Sequence, residues 1–517
     1  PFFILGLLFS FQFFSERSLM KTYKNILLSG LLLFSLSSCS DWFQVEPENE
    51  IAKEDLFSSY DGYRTALNGI YRNLSGTSLY GQDLSFGFIS LLGQNYEVPS
   101  WLALYPEYYF LGNAINYNYE HNNIKSITQA IWEKAYNTIA NCNVLIQNTE
   151  AHGNDFFYEG ENEKNILIGE AKGLRALMHF DILRLFAPAP VTGDDAAYVP
   201  YVTVYLTSHP THLPTSVVLD SIISDLKQAQ RLLAYNDTLY NYKMMESASM
   251  RFDGNVTGTA LGGDFFAYRG TRMNYVAATA LLARAYQYKG DRAMAYQYAQ
   301  EVYRFQSEKG WYRFTPEGNI SNTNVQYRRC KLFDDILLAF YNTKIFDVYN
   351  DWFQSFYSSY SQFPIKNRTN LFTGDLADFR YRYLLHETGY SLKWVPVTDA
   401  SALWNIQYQY PLLPVMRMSE IYYIMCEYLA ETDLPRAINL LNTLKIARGA
   451  AELNTSLTKD EFLDRMYMDA TRESIAEGQT FYLYKRLNRD MYNGEYPIDM
   501  SGGKYVIPLP DSETIIQ

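Results

Sequence analysis

The sequence predicts a mostly α-helical fold, in which antiparallel helix pairs stack into a superhelical scaffold that carries loop-rich, irregular insertions. Two observations indicate this fold. Several stretches repeat apolar residues every three or four positions, as amphipathic helices do. Residues 274–305 and residues 416–448 each join two such stretches through a short turn. Because one helix pair cannot bury its own apolar face, repeated pairs indicate a stack.

The N-terminal segment has the features of a secretion signal. A positively charged start at residues 20–24 precedes a mostly apolar run at 26–36, which is too short to span a membrane. The run ends in the sequence LSSC at 36–39, which resembles a bacterial lipobox. We therefore expect cleavage before Cys39 and acylation of its thiol, so that a lipid anchors the mature chain to a membrane. An ordinary cysteine after an apolar segment is the alternative.

The signal sets the expected domain organisation. Residues 1–19 carry another apolar run, and we interpret them as sequence upstream of the true start at Met20; a two-helix membrane hairpin is the alternative. Residues 1–38 are then the signal peptide, and residues 39–517 form a single domain. Within it we expect an aromatic loop region at 75–122, helical repeats at about 126–305 and 412–490, and an insertion at 306–411.

Amphipathic stripes predict four helices before the two repeated units, over residues 55–74, 126–150, 165–186 and 216–233. Glycine and proline residues interrupt the stretch between the first two of them, which is also dense in aromatic residues. Long irregular segments in compact proteins are often functional. The sequence therefore places candidate binding residues in this stretch.

The two later helix pairs are more specific. Their turns fall at residues 289–291 and 431–433, and Ala293 and Ala437 lie in the first turn of each second helix. This arrangement resembles the tetratricopeptide helix–turn–helix repeat of about 34 residues. An irregular helical bundle is the alternative. In the insertion between the pairs, "DDILLAFYN" and "SLKWVPVTD" fit either a strand or a helix.

Composition and charge disfavour several classes of function. A net charge of −12 argues against a nucleic-acid surface. The six histidines show no metal-ligand spacing, and the sequence has neither a G-x-S-x-G elbow nor a glycine-rich phosphate loop, so we expect no metal and no cofactor. Adjacent acids such as Asp334 and Asp335 do not supply the facing carboxylates that glycoside hydrolysis needs. Cys142 and Cys426 lie in apolar helical stretches, where we expect small core residues.

The aromatic content favours a binding surface. The chain has 46 Tyr, 31 Phe and 7 Trp. Flat rings match the apolar face of a sugar, and Asp, Asn, Gln and Arg side chains match its hydroxyl groups. Burial in the core or at an interface is the alternative for each ring, and it is the expectation for Trp132 on a predicted helix. The ligand-binding candidates in irregular regions are Trp101, Tyr105, Trp352, Trp394 and Trp404.

Seven segments, taken in chain order, carry a resemblance to a known family. They are "CSDWFQVEPENEI", "ALNGIYRNL", "GEAKGLRALMHFDILRLFAPAPV", "ALLARAYQYKGD", "RMSEIYYIMCEYLAE", "RESIAEGQTFYLYKRLNR" and "VIPLPDSE". Together they resemble the SusD/RagB family of surface lipoproteins from Bacteroidetes-type bacteria. The chain departs from the family pattern at Thr480, where a basic residue is usual, and at Tyr482, where an aspartate is usual.

Arg472, Glu473 and Glu477 belong to the late segment of this resemblance. Charged residues grouped in this way can be mistaken for an active site. We interpret them as an ion-pair network on a helix that also carries Lys485 and Arg486.

The resemblance implies a role in nutrient capture. Proteins of this family act as lids on a SusC-like, TonB-dependent outer-membrane transporter and help to deliver glycans or peptides to it, without catalysis. It also implies a surface-exposed, lipid-anchored location at the outer membrane. The family's ligand residues follow no motif, so none is transferred to this sequence. A glycan-degrading lipoprotein and a tetratricopeptide scaffold that binds only protein are the alternatives.

Overall fold

The computed structural model describes residues 55–205, 210–252, 259–354, 363–395, 397–407, 409–492 and 494–514. The chain divides into two compact units, Pro1–Gly62 and Tyr63–Gln517. Of the first unit only residues 55–62 are described, and they include the start of the first helix. The predicted signal peptide and Cys39 lie outside the described residues, so both stay predictions. The second unit carries the features discussed below.

The described residues are mostly helical, as predicted. The helices of the first half are α1 (Tyr60–Leu74), α2 (Phe88–Leu92), α3 (Tyr109–Ile115), α4 (Asn122–Ala151), α5 (Gly160–Phe186), α6 (Thr215–Tyr235), α7 (Ala248–Phe252), α8 (Tyr275–Lys289) and α9 (Arg292–Ser307). Those of the second half are α10 (Ile345–Gln354), α11 (Arg368–Leu371), α12 (Phe379–Arg382), α13 (Ala400–Ile406), α14 (Met418–Thr432), α15 (Leu434–Ala447), α16 (Lys459–Glu473), α17 (Thr480–Leu487) and α18 (Asp511–Thr514).

Six short strands form three two-stranded antiparallel sheets, in which β1 pairs with β2, β3 with β4 and β5 with β6. The strands are β1 (Ala197–Pro200), β2 (His212–Pro214), β3 (Ile336–Tyr341), β4 (Leu412–Arg417), β5 (Met491–Tyr492) and β6 (Pro497–Ile498).

Both predicted helix pairs are confirmed, as α8–α9 and α14–α15. Gly290 ends α8 in the left-handed region at φ 89°, which glycine adopts without steric cost. Asp291 then caps α9 by accepting a hydrogen bond from the Met294 backbone, and Asp433 caps α15 in the same way through Arg436. These caps explain why each turn is short.

The two pairs stack directly on each other through α9 and α14. The rings of Tyr296 and Tyr428 lie face to face with centroids 4.4 Å apart. Nearby, the Tyr422 hydroxyl donates to Gln306 at 2.7 Å. Contact between successive pairs is what a superhelical scaffold requires.

Helix α5 is the central element of the first half, because most of its residues are buried and both α4 and α6 pack against it. The charges that it buries are paired. Arg175 forms a bidentate ion pair with Asp225, in which both N–H···O distances are 2.8 Å. Glu170 accepts hydrogen bonds from Arg269 and Arg272. Pairing of this kind offsets the cost of burying a charge. The predicted core cysteines Cys142 and Cys426 are likewise buried.

The insertion is connected to the second helix pair by strand pairing. The "DDILLAFYN" segment resolves as the buried strand β3, whose antiparallel partner β4 leads directly into α14. The "SLKWVPVTD" segment contributes a 3₁₀ turn at Leu392–Trp394. Pairing with a strand that is distant in the sequence thus decided between strand and helix for the first of these segments, which the local sequence pattern did not do.

One sequence expectation about the late segment is wrong. Arg472, Glu473 and Glu477 do not share a helix with Lys485, because α16 ends at Glu473 and α17 begins at Thr480. In between, Ala476 and Gly478 adopt φ values of 57° and 78°. A Cβ atom at Gly478 would lie 2.7 Å from the backbone oxygen of Leu84, so the close packing of the turn requires glycine.

Candidate functional site

Among the tryptophan side chains that the structure describes, only Trp101 is exposed. It shows 39% of its surface to solvent, whereas Trp132, Trp311 and Trp394 are buried. Tyr105, one turn further along, shows 41%. Two of the predicted ligand-binding residues therefore lie close together on one surface segment.

These two rings belong to a group of four, Trp101, Tyr105, Tyr108 and Tyr109, which we call the aromatic cluster. Trp101 and Tyr108 lie on successive 3₁₀ turns, and Tyr109 begins α3. The ring centroids of Trp101 and Tyr105 are 6.4 Å apart with perpendicular planes, and those of Tyr105 and Tyr108 are 6.2 Å apart. Such edge-to-face contacts orient the rings relative to one another.

The segment that carries the cluster is attached to the core. Leu102 and Leu111 point inward and are buried. The Tyr117 hydroxyl donates to the Leu92 carbonyl at 3.0 Å and accepts from the Gln94 side chain at 3.0 Å. The exposed rings are therefore presented from a supported surface, which reduces the entropy lost when a ligand binds.

Three asparagines, Asn113, Asn116 and Asn118, follow the cluster in the sequence. The Asn113 amide donates to the Tyr109 carbonyl at 2.8 Å, and the Asn118 amide donates to Asn113 at 2.9 Å. Asn116 and Asn118 are exposed. Amide groups both donate to and accept from hydroxyl groups. Sequence reasoning missed Tyr108, Tyr109 and these asparagines, although the stretch "YPEYYFLGNAINYN" shows them directly after Tyr105.

The prediction that Trp394 is a ligand-binding residue is wrong, because its ring is in the core and only 1% exposed. Its indole N–H donates to the Ala476 carbonyl at 2.9 Å, and its ring lies 4.9 Å from that of Phe86. The ammonium group of Lys331 lies 4.5 Å from the same ring. The glycines and prolines near Trp394 made the segment irregular, but irregular backbone is compatible with a buried side chain.

The other two tryptophan candidates lie on short helices. Trp352 is in α10 and Trp404 is in α13. Their side chains are outside the described part of the structure, so their roles as ligand-binding residues stay predictions.

The expected ion-pair network is confirmed for Glu473 and Glu477, and it is larger than the sequence suggested. Arg472, which was expected to belong to it, instead pairs with Asp375. Nearly all of its side chains are fully buried. Its carboxylates are Asp335, Asp378, Asp469, Glu473 and Glu477, and its cations are Arg380, Lys393, Arg417 and Arg448. We call this set the buried ion-pair network.

The network joins the insertion to the helical scaffold. Glu473, at the end of α16, accepts from Arg380 of α12 at 2.9 Å and from Arg448 at 2.5 Å. Glu477 accepts from Arg417 at 2.6 Å and from Lys393 at 2.9 Å. Acids this well paired hold elements together and are poorly placed for proton transfer.

Several of the adjacent acids in the sequence have structural partners. Asp194 and Asp195 are exposed, and Asp195 binds the first turn of α6 through Ser216. Asp335 belongs to the buried ion-pair network. Glu461 completes a capping box at the start of α16. Across the described ranges, no group of three or more His, Cys, Asp or Glu side chains is arranged to hold a metal ion. None of the helices in those ranges is long and apolar enough to cross a membrane.

One buried acid near the aromatic segment predicts a pH effect. Burial raises the pKa of Asp83 to about 7, although hydrogen bonds from Gln82 and the Phe88 backbone lower it. The native state thus holds a proton that the unfolded state releases near pH 4, so Asp83 lowers stability as the pH rises from about 4 to about 7. We expect Asp83→Asn to increase the free energy of unfolding by about 4 kcal/mol more at pH 8 than at pH 4.

Urea unfolding at both pH values measures the difference. The matched control is Asp155→Asn, at an exposed position, which should give the same small change at pH 4 and pH 8. Equal effects of Asp83→Asn at the two pH values would contradict the prediction.

The sequence of this chain is similar to those of SusD-like proteins. The chain matches no protein-family profile. It is similar to the SusD-like protein P25 of Formosa agariphila, with 27% identity over 213 residues that cover 41% of this chain and 38% of that protein. It is also similar to the SusD-like protein P2 of the same organism, with 26% identity over 233 residues that cover 44% of this chain and 41% of that protein. The chain thus spans about two fifths of the length of these curated relatives.

Solved structures match over almost the whole fold. A SusD-like carbohydrate binding protein from Bacteroides vulgatus superimposes with a TM-score of 0.64 and 16% identity, over 89% of this chain and 96% of that one. A SusD superfamily protein from Bacteroides thetaiotaomicron gives 0.63 and 20% identity, over 88% and 98%. Another SusD superfamily protein from Bacteroides vulgatus gives 0.66 and 19%, over 89% and 97%. At these identities, the likeness shows a common fold.

Proposed function

We propose that this chain is a member of the SusD/RagB family, a cell-surface lipoprotein that binds a nutrient glycan and delivers it to a TonB-dependent outer-membrane transporter. The observation that carries the proposal is the aromatic cluster around Trp101. The carbohydrate-binding relative named above supports the choice of a glycan over a peptide. Lipid attachment at Cys39 anchors the protein at the outer membrane in this proposal, and no step requires catalysis.

The chemistry of the cluster suits a sugar chain. The ring faces of Trp101 and Tyr105 offer apolar surface for the C–H face of a pyranose. The exposed amides of Asn116 and Asn118 belong to the same surface segment and suit hydroxyl groups. An open site of this kind can bind the middle of a polysaccharide without enclosing it. Capture of a long glycan requires such binding.

A degrading enzyme is less well supported. The carboxylates that combine burial with a depressed pKa, such as Glu473 and Glu477, are engaged with arginine and lysine side chains. A glycosidase instead needs one carboxyl group whose raised pKa keeps it protonated, facing a second carboxylate across a sugar-binding cleft. Asp83 has a raised pKa, but its side chain is buried and accepts hydrogen bonds from Gln82 and the Phe88 backbone.

Trp101→Ala should weaken glycan binding at least tenfold, because it removes the largest exposed ring of the cluster. A tenfold loss corresponds to about 1.4 kcal/mol of binding free energy. The measurement is affinity electrophoresis and calorimetry against a panel of soluble plant, algal and host polysaccharides.

The matched control is Tyr242→Ala, an exposed tyrosine on a different segment, which should leave binding unchanged. Thermal unfolding of both variants separates a lost contact from a lost fold. If Trp101→Ala binds like the unmodified protein, the aromatic cluster is not the glycan site.

The transporter is tested separately, by extracting the membrane with mild detergent and purifying the tagged chain. We expect a large outer-membrane β-barrel protein to co-purify. A chain recovered alone, or recovered from the cytoplasm, would contradict the delivery role.

A further inference from the structure

A cavity of about 110 Å³ is lined by residues of α5, α8, β4, α14, α16 and α17 and borders the buried ion-pair network. Four carboxylates also line it, and each is paired with an arginine: Glu420, Glu427, Glu473 and Glu477. Phe180, Ile424 and Met466 supply apolar wall. One water molecule needs roughly 10–15 Å³ by the same kind of measure. The cavity is therefore large enough for a small organic or inorganic ion.

Four polar groups on the cavity wall have no hydrogen-bond partner within the described residues. They are Nε of Arg184, Nη1 of Arg284 and the hydroxyl groups of Tyr288 and Tyr482. The four residues expose only 3–5% of their surfaces. Because folded proteins pair nearly all buried polar groups, four such groups among the residues that line one cavity indicate that water or a ligand in the cavity accepts from them.

Ion pairs hold both arginines in place. Arg184 pairs with Asp181 and also donates to Gln479. Arg284 forks onto both carboxylate oxygens of Glu420 through Nε and Nη2, each at 2.6 Å. The remaining N–H groups therefore have fixed directions, which is the preorganisation that ligand binding favours.

The four groups belong to one neighbourhood. The guanidinium carbon of Arg184 lies 3.8 Å from the centroid of the Tyr482 ring. Burial and the Asp181 carboxylate, which is itself paired with Arg184, raise the pKa of Tyr482, and Arg184, Tyr288 and Arg284 also act electrostatically on its hydroxyl. Burial also raises the pKa of Tyr288. Both phenols thus keep their protons at neutral pH and can donate them in hydrogen bonds.

The set of donors selects the chemistry of the ligand. A guanidinium N–H can only donate, and the two hydroxyl groups can donate as well. A ligand that satisfies all four must accept several hydrogen bonds, and charged oxygen atoms accept the strongest ones from arginine. The geometry points to a second binding site in this cavity, where Arg184, Arg284, Tyr288 and Tyr482 bind a small oxyanion, a carboxylate or a sulfate-type group.

This site is separate from the proposed glycan-binding function and does not depend on it. The test is calorimetric titration of the purified chain, in a buffer with chloride as its only anion, with sodium acetate and separately with sodium sulfate. We expect saturable binding of at least one of them. A preference for acetate identifies a planar carboxylate as the ligand group, and a preference for sulfate identifies a tetrahedral oxyanion.

Tyr482→Phe should weaken this binding about tenfold, because it removes one hydrogen bond to a charged acceptor. The anion-free variant should unfold at the same temperature as the unmodified protein or slightly higher, since the hydroxyl that it loses is buried and unpaired. Tyr482→Asp should abolish binding, because its own carboxylate can accept from the two arginines.

Tyr312→Phe is the matched control, because it removes another buried, unpaired hydroxyl that does not line the cavity. It should leave anion affinity unchanged. Three results would overturn the inference: no saturable heat with either anion, equal affinity in Tyr482→Phe, or a crystal structure from acetate and sulfate soaks with water alone in the cavity.

Discussion

Glu473→Gln will lower the free energy of unfolding at pH 7 by about 3–5 kcal/mol, because it removes a charge from the centre of the buried ion-pair network. The substitution keeps the size of the side chain. It leaves Arg380 and Arg448 buried with one carboxylate fewer, and burying a charge without its partner is costly. Urea unfolding, followed by circular dichroism, measures the loss.

The pH dependence of this loss has a definite sign. Burial raises the pKa of Glu473, but Arg448 and Arg380 outweigh it and hold the pKa well below its usual range. A depressed pKa stabilises the native state above the pKa of the unfolded chain, near 4.5, and this contribution disappears as the pH falls. The difference between Glu473→Gln and the unmodified protein should therefore shrink below about pH 4.

The control is Glu308→Gln, at a glutamate whose side chain is 68% exposed and lies 4.0 Å from Arg304. Exposed pairs of this kind contribute about 0–1 kcal/mol. A Glu473→Gln variant as stable as Glu308→Gln would show that the network does not hold the insertion to the scaffold.

Trp394→Ala should also cost about 3–5 kcal/mol, the range for removing a large aromatic side chain from a core. The substitution empties the space beside Phe86 and leaves the Ala476 carbonyl without its indole donor. Trp394→Phe should cost less, because it keeps an aromatic ring and leaves a smaller cavity, although it also loses the hydrogen bond. Chemical unfolding of the two variants gives the comparison.

Trp101→Ala provides the matched control, with the same change of residue at an exposed position. We expect its stability to stay within about 0.5 kcal/mol of the unmodified protein. We therefore expect opposite results in the two assays: Trp101→Ala should affect glycan binding and Trp394→Ala should affect stability. A Trp394→Ala variant of unchanged stability would mean that the ring is not part of the core.

Local sequence signals predicted the helical elements well. Apolar periodicity indicated both helix pairs, and the turn at Gly290 and Asp291 was readable because glycine and aspartate have specific roles at helix ends. Local signals could not show whether the segment that forms β3 is a strand or a helix, because its partner β4 lies far along the chain. The break between Glu473 and Thr480 was missed for a similar reason, since it depends on Gly478 packing closely against the backbone of Leu84.

The candidate site shows the same division. An irregular, aromatic stretch indicated two exposed rings, Trp101 and Tyr105, whose role in ligand binding stays a prediction. The neighbouring tyrosines and asparagines were visible in the same stretch. The identical signal was wrong for Trp394, because composition does not record which way a side chain points. The partners of Glu473 were also beyond sequence reasoning, since Arg380 and Arg448 come from separate elements.

What the linear sequence decided is therefore local: the helices, their caps, the paired repeats and the predicted lipid attachment at Cys39. Each depends on residues within a few positions of one another, so pattern and propensity suffice. Only the tertiary structure decided which aromatic rings are exposed, which charges meet in the core and where four unpaired donors share a cavity. These features depend on contacts between residues that are distant in the chain, and the direction of such contacts is set by packing.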